Sequence, residues 1–286
     1  MLASGAEEVP MKTRILLGAA LAMMLTACPR KDEEEEPMTL GEASQAVEEA
    51  SLDGQAAMLT SNTVEITTNF TIGGAVEKAA EEIRGFVESQ LPCAEVTLAG
   101  AKLTVEYGKK AGSCVYRGQT YQGVHTVEVK KTEPGELEVQ HGWAGVSNQR
   151  VRVDGVATVT WSATAKSRRV KHDLTWTRLA DGRTGKGAGD RTQTPLVGGL
   201  VEGIKVDGAR SWTGERGTWD LAIRGVEARW VDPVPQAGSY TLSAPSGRAM
   251  TLDFNRLDAD TIEVTVSSGK RTFPIKINAA GQVGGS

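Results

Sequence analysis

Apolar residues recur along this chain with two different periods. Before Pro92 they return every three to four positions, and from Ala94 onward they alternate with polar ones. The first period predicts helices. "TLGEASQAVEEAS" opens with Thr39 and Glu42 at capping-box spacing and carries Leu40, Ala43 and Val47 on one face. Gly54 either ends this helix or bends it. "AVEKAAEEIRGFVESQL" is the stronger case, with Val76, Ala79, Ala80, Ile83, Val87 and Leu91 in one stripe and Pro92 as its stop. Between the two, "TVEITTNFTI" alternates and reads as a strand.

The second period predicts a long series of antiparallel strands. "AEVTL" and "KLTVEY" flank a turn at Gly100, and "GVHTVEVKK" and "GELEVQH" flank one at Glu133-Pro134-Gly135. "ATVTWSATA" and "VKHDLTWT" pair about Ser167-Arg168-Arg169, which should bring Trp161 and Trp176 close across the strands. "DGARSWTGERGTWDLAI" is a hairpin whose Trp212 and Trp219 flank a Glu215-Arg216 turn. A meander of "SYTLS", "RAMTLDF", "TIEVTVS" and "TFPIKI" closes the chain, with Pro274 marking a sheet edge. "VRVDGVA" at Val151 resembles "IKVDGAR" at Ile204, and a recurrent hairpin accounts for that likeness. The stretch Leu179–Gly199, rich in Gly and Thr, reads as one long irregular loop.

The expected fold is mainly β: an antiparallel meander or twisted sheet with one or two N-terminal helices packed on it. Residues 39–92 form the helical segment and 93–286 the β domain, with 232–238 either a sub-boundary before a small terminal sheet or a corner within one large sheet.

The N-terminus carries a different pattern. In "MKTRILLGAALAMMLTAC" a basic start at Lys12 and Arg14 leads into an apolar run too short to span a bilayer. Leu25-Thr26-Ala27-Cys28 closes it. This stretch, Met11 to Cys28, resembles the lipobox of bacterial lipoproteins. The resemblance implies a signal peptide over 1–27, with 1–10 an over-extended start, and lipidation with a palmitate-class acyl chain at Cys28. A membrane anchor in the cell envelope follows, and Pro29 in place of Asp after the cysteine leans it towards the outer rather than the inner membrane. Beyond the signal, the body resembles uncharacterised Gram-negative lipoproteins and no family whose activity transfers. Residues 28–38 form an acidic tether, since the five consecutive acids Asp32 to Glu36 repel each other and bury nothing.

Charge separates the tether from the body. The chain is −4 overall, with 32 basic and 36 acidic residues. From Ser61 onward there are 28 basic and 25 acidic residues, so the body is mildly basic. No concentrated basic face argues for nucleic acid. Cys93 and Cys114, an even pair in an exported chain, predict a disulfide.

Few patterns carry chemistry. "GRTGKG" has the wrong glycine spacing for a phosphate loop, and Gly187 follows Lys186 where Ser or Thr would reach magnesium. Asp181 and Asp190 are too sparse for a calcium cage. His125, His141 and His172 lie in or beside strands, and tertiary structure would have to bring an acid such as Glu138 or Asp154 to the first two. Trp161, Trp176, Trp212 and Trp219 fit the buried face of a sheet. No catalytic, cofactor or metal residue is assigned. The expected function is a non-enzymatic binding or structural role, with cell-wall polymer, lipid or another envelope protein as partner. One rival is a lipid or lipoprotein carrier, which needs an apolar cavity under the helix at Val76–Leu91. The other is a hydrolase with a site near 179–199, which needs a histidine bonded to both a hydroxyl and an acid.

Overall fold

The computed structural model describes residues 36–68, 76–116, 119–131, 136–162, 164–229, 231–232, 234–278 and 283–284. The signal, Cys28 and all of the tether before Glu36 lie outside the described residues. Two helices lead, α1 (Leu40–Thr68) and α2 (Val76–Gln90). They are followed by β1 (Glu95–Ala99), β2 (Lys102–Tyr107), a two-residue pair β3 (Val115–Tyr116) and β4 (Gln119–Thr120), and β5 (Gln122–Lys131). The long strands come next: β6 (Glu136–Ser147), β7 (Val151–Ser162), β8 (Ser167–Arg178), β9 (Thr184–Leu196), β10 (Gly199–Gly214) and β11 (Gly217–Arg229). Shorter strands finish the chain: β12 (Ala237–Ser243), β13 (Ala249–Arg256), β14 (Thr261–Ser268), β15 (Arg271–Asn278) and β16 (Val283–Gly284). All but β3 and β4 form one antiparallel sheet of 14 strands in chain order, with β1 and β16 at its edges. The protein is therefore mainly β with N-terminal helices on the sheet. β11 pairs directly with β12, so the sheet continues across 232–238. Pro274 faces Thr265 of β14, and β16 joins β15 beyond it, at Lys276 and Ile277, so among the described residues nothing pairs with the proline's other side.

Four local expectations are corrected. The stretch read as an irregular loop is mostly strand β9, paired along its length with β8 and β10. Its inward positions alternate as Gly185, Gly187, Gly189, Arg191 and Gln193, and glycine on a buried face imitates a loop. A side chain at Gly185 would collide with the Trp176 ring, and one at Gly189 with His172. Gly54 does not end α1, and Thr63 to Thr68, read as the start of a strand, are its last turns. A Cβ at Gly54 would meet nothing within 4 Å, so this glycine serves no close approach and simply rides in the helix. The β7–β8 turn falls at 164–166, which sets Trp161 opposite Arg168 and Trp176 opposite Val153 instead of bringing the two indoles together. Finally, Leu40 and Ala43, placed on one face by their spacing, differ in surroundings: Leu40 is 88% exposed, while Ala43 packs against the cluster of Trp212 and Trp219.

The V-D-G likeness has a structural cause other than a repeated hairpin. In β7, Asp154 stands opposite two residues of β6, Ala144 and Gly145, and in β10 Asp207 stands opposite Arg224 and Gly225 of β11. Each is a β-bulge, which bends the strand and steepens its twist. Asp154 Oδ1 accepts the Gly145 N–H at 2.6 Å, and Asp207 Oδ1 accepts the Gly225 N–H at 2.6 Å. The glycines match as well: Gly145 and Gly225 have φ of 59° and 56°, Gly155 and Gly208 of 143° and 137°. The two bulges flank the β8–β9 pair on either side, so β8 and β9 lie between two bends of the sheet.

α1 crosses several strands on the face between those bends, and α2 covers β1, β2 and β5. Ala80, Ile83 and Val87 of α2, with Leu91 just past its end, are fully buried in one cluster with Leu103, Val105, Val127 and Tyr121. Cys93, one residue beyond the stop at Pro92, forms a disulfide with Cys114 across a Cα–Cα distance of 5.2 Å. It staples the end of α2 to the loop before β3. A second apolar cluster gathers Met38, Ala46, Trp212, Trp219, Leu242 and Met250 at the other end of α1. Trp212 and Trp219 face each other across the β10–β11 hairpin, as the sequence pattern implies. Among the described residues no helix is long and apolar enough to cross a membrane.

Candidate functional site

The two apolar clusters are separated by polar residues beneath α1. Positions 42, 46, 49, 53, 56, 60 and 63 follow alternating steps of four and three, which is one helix face. They carry Glu42, Ala46, Glu49, Asp53, Ala56, Thr60 and Thr63, and from Ala46 onward all are buried. The helix thus buries a seam of acids and hydroxyls, flanked by Leu52 and Leu59. Opposite it the sheet presents arginines. Arg183 bonds Glu48 at 2.7 Å and also Glu49, Arg216 bonds Glu48 at 2.8 Å, and Arg210 of β10 pairs with Asp53. At the helix start Arg248 bonds Glu42 at 2.8 Å, while Thr39 and Glu42 close the capping box. At the far end Trp143 Nε1 donates to Thr63 Oγ1 at 2.8 Å.

Gly187 lets the helix come down on β9, and Gly185 makes room for the Trp176 ring beside it. A Cβ at Gly187 would stand 3.2 Å from Asp53 Oδ1 and 3.0 Å from Trp212 Cβ. Past them, β9 turns Arg191 and Gln193 inward beside Arg168 and His172 of β8. Arg168 Nε donates to Gln193 Oε1, and its guanidinium lies 5.3 Å from the Trp161 ring. Burial pushes the Asp53 carboxyl up, and Arg210 and Arg191 pull it back. Burial, then Arg210, lowers Arg191 to about 10, with Asp53 opposing. Burial, then Arg191 and Arg210, lowers His172 to about 3, so its imidazole is neutral at pH 7.

His125 and His141 are not brought to Glu138 or Asp154. They meet each other, His125 Nε2 to His141 Nδ1 at 3.1 Å, and Tyr107 Oη lies 3.2 Å from His125 Nδ1. Both rings stack on Trp143, with centroids 5.5 and 5.9 Å away. The proton order along this relay can run either way, and in both cases His141 Nε2 is the end without a partner. Burial lowers His125 to about 3 and, with His125 and Arg168, lowers His141 well below its ordinary value. Neither imidazole is bonded to a carboxylate. Asp181 and Asp190 sit apart along β9 and its lead-in, held by Arg178 and by Arg169, respectively.

The opposite face of the same strands carries a broad, open concavity. A groove of about 660 Å³ crosses β8 to β12. Ala188, Ala209, Ala222 and Ser211 form its floor, and Lys171, Asp190, Asp220 and Arg224 its charged border. The registers Ala188↔Ser211, Ala209↔Ala222 and Ala222↔Thr241 lay these small residues side by side across four strands. Sequence reading missed the floor because an outward Ala or Ser in a strand carries no signal; only pairing reveals that the small ones are neighbours.

Comparison with protein-family models, with curated proteins and with solved structures finds no match. The chemistry of the two faces therefore stands on its own geometry. The inner face spends its charges on holding α1, and the outer face leaves a broad, polar-bordered groove open.

Proposed function

We propose that this chain is a lipid-anchored protein of the bacterial envelope that binds a partner without chemical turnover, through the outer groove of β8–β12. The lipobox-like segment ending at Cys28 supports the anchor, and two acyl chains on that cysteine would hold the chain stably where one would not. The groove carries the binding reading. Its floor of Ala and Ser lets a main chain or sugar ring approach the sheet closely, and its border offers both signs of charge. Leu221 is the one large apolar residue in that lining and packs against the Trp212–Trp219 cluster, and the rest is small or polar, so an extended polar polymer of the cell wall fits it better than an acyl chain.

The carrier alternative loses its support, since the space between α2 and the sheet is filled by the packed cluster of Ile83, Val87, Leu91, Leu103 and Val105. The hydrolase alternative, with a site near 179–199, needs a histidine bonded to both a hydroxyl and an acid, and it loses support because His125 bonds His141 and Tyr107 instead and, among the described residues, no histidine bonds a carboxylate.

Two measurements test the proposal. Palmitate labelling of growing cells should mark the wild type and not Cys28→Ala. Purified cell-wall polymer should sediment with the full-length chain and not with Ala209→Trp, whose indole fills the groove floor. Equal labelling of wild type and Cys28→Ala would remove the anchor. Equal sedimentation of wild type and Ala209→Trp, or sedimentation of neither, would remove the groove as the binding surface.

A further inference from the structure

The charges along the border of the outer groove are not all engaged. Asp190 is taken up by Arg169 at 2.5 Å and by Lys171 at 3.9 Å. Asp173, beside the groove on β8, meets Lys186 at 3.7 Å. Asp220 and Arg224 differ. Both are exposed on β11, and among the described residues neither side chain takes part in an ion pair or a hydrogen bond. They stand four positions apart, so they share one face of the strand and lie about 13 Å from each other along it. Only Ala222 projects between them. Ala209 of β10 and Thr241 of β12 stand opposite Ala222, so no large side chain interrupts the track.

The two ends of this track suit opposite charges. The register sets Ser211 of β10 and Ser243 of β12 on either side of Asp220. Neither serine hydroxyl has a hydrogen-bond partner among the described residues. An ammonium carries three donors, and a carboxylate flanked by two hydroxyls supplies acceptors for them. At the other end Arg224 offers a planar donor fork that matches a carboxylate, with Ser239 of β12 opposite it. Asp207, the neighbour of Arg224 on β10, is held by the Gly225 N–H. A negative and a positive pole about 13 Å apart complement an extended chain of about four residues, at roughly 3.3–3.6 Å per residue, with an amine at one end and a carboxylate at the other. We propose that the groove takes the short peptides carried by the wall polymer, with their amine at Asp220 and their carboxylate at Arg224. This assignment rests on the groove being the wall-binding surface. A neutral glycan strand would leave both charges unused, and a polyanion would be repelled by Asp220.

The test titrates the full-length chain, in non-ionic detergent, with soluble fragments of the wall polymer. One set keeps its peptides, and in the other an amidase has removed them. The peptide-bearing fragments should bind, and losing the peptides should weaken binding by about tenfold or more. Asp220→Asn and Arg224→Gln should each weaken binding of the peptide-bearing fragments by about tenfold. Both side chains are exposed, so neither substitution should unfold the sheet. Acetylating the peptide amines should cost the wild type the same factor and Asp220→Asn little more. Equal affinity for both kinds of fragment, lost alike in Ala209→Trp, overturns the peptide assignment and leaves the groove as the wall-binding surface. Unchanged affinity in Asp220→Asn and Arg224→Gln does the same. Binding of neither fragment overturns the assignment alone where the whole polymer still sediments with the chain, and both readings where it does not.

Discussion

Asp207 of β10 holds the backbone N–H of Gly225 in β11 at 2.6 Å, closing a bulge that leaves two residues of one strand facing one of the other. The same device recurs at Asp154 and Gly145, three strands away. These bulges bend the sheet on either side of β8 and β9, and α1 crosses the face between them.

The bulges should therefore matter more to stability than their exposed position suggests. Asp207→Ala removes one acceptor and should cost about 1 kcal/mol. Gly208→Ala should cost more, about 3 kcal/mol, because its Cβ would run into the Asp190 carbonyl at a φ of 137° that side chains rarely adopt. Urea unfolding midpoints check both, and a Gly208→Ala variant as stable as wild type would refute the geometry.

The inward glycines of β9 make a second comparison. Gly185→Ala places a methyl group 2.6 Å from Trp176 Cε2 and should destabilise by about 2–3 kcal/mol through overpacking. Lys186→Ala, one residue on and facing solvent, should change stability by less than about 0.5 kcal/mol. Similar losses for the two would mean that β9 is not seated as described.

Acid should weaken the fold well above the carboxylate range. His125 and His172 titrate near 3 in the folded chain, and His141 is also lowered, while the unfolded imidazoles titrate near 6.5. In that window the unfolded chain binds more protons, so the stability these groups give is complete above the unfolded value and is lost as pH falls. His125 and His172 each lose about 2 kcal/mol between pH 7 and pH 5, and His141 adds to the loss in the same direction. His125→Asn should flatten the fall in denaturant stability over this range by about that amount; an unchanged slope would show that His125 is accessible to protons when folded.

Asp53 faces Arg210 and Arg191 from the buried side of α1. Asp53→Ala leaves those guanidiniums uncompensated and should cost about 3–5 kcal/mol. The double variant Asp53→Ala/Arg210→Met should recover part of that loss. A simple sum of the two single effects would indicate that the pair is not coupled.

Reduction should loosen the end of α2. The Cys93–Cys114 bridge spans 21 residues, and its loss in Cys93→Ala/Cys114→Ala should lower stability by about 3 kcal/mol. Thermal unfolding with and without reductant measures it: wild type should shift and the double variant should not.

Hydrophobic spacing alone determined most of the architecture: the period of α2, the alternation in the strands and the Trp212–Trp219 hairpin can all be read from local pattern, and the cysteine count adds the Cys93–Cys114 pair. Side-chain period and turn chemistry act between near neighbours, so the linear chain displays them. What only the tertiary structure decided are features whose meaning lies in a distant partner. The polar face of α1 looks like a solvated face until Arg183 and Arg210 stand opposite Glu49 and Asp53. Gly185, Gly187 and Gly189 look like a loop until Trp176, Trp212 and His172 fill the space they leave. The V-D-G segments look like a weak repeat until each aspartate finds the bulged glycine of the adjoining strand. In each case the residue is chosen for what packs against it, and sequence order does not record which strands become neighbours.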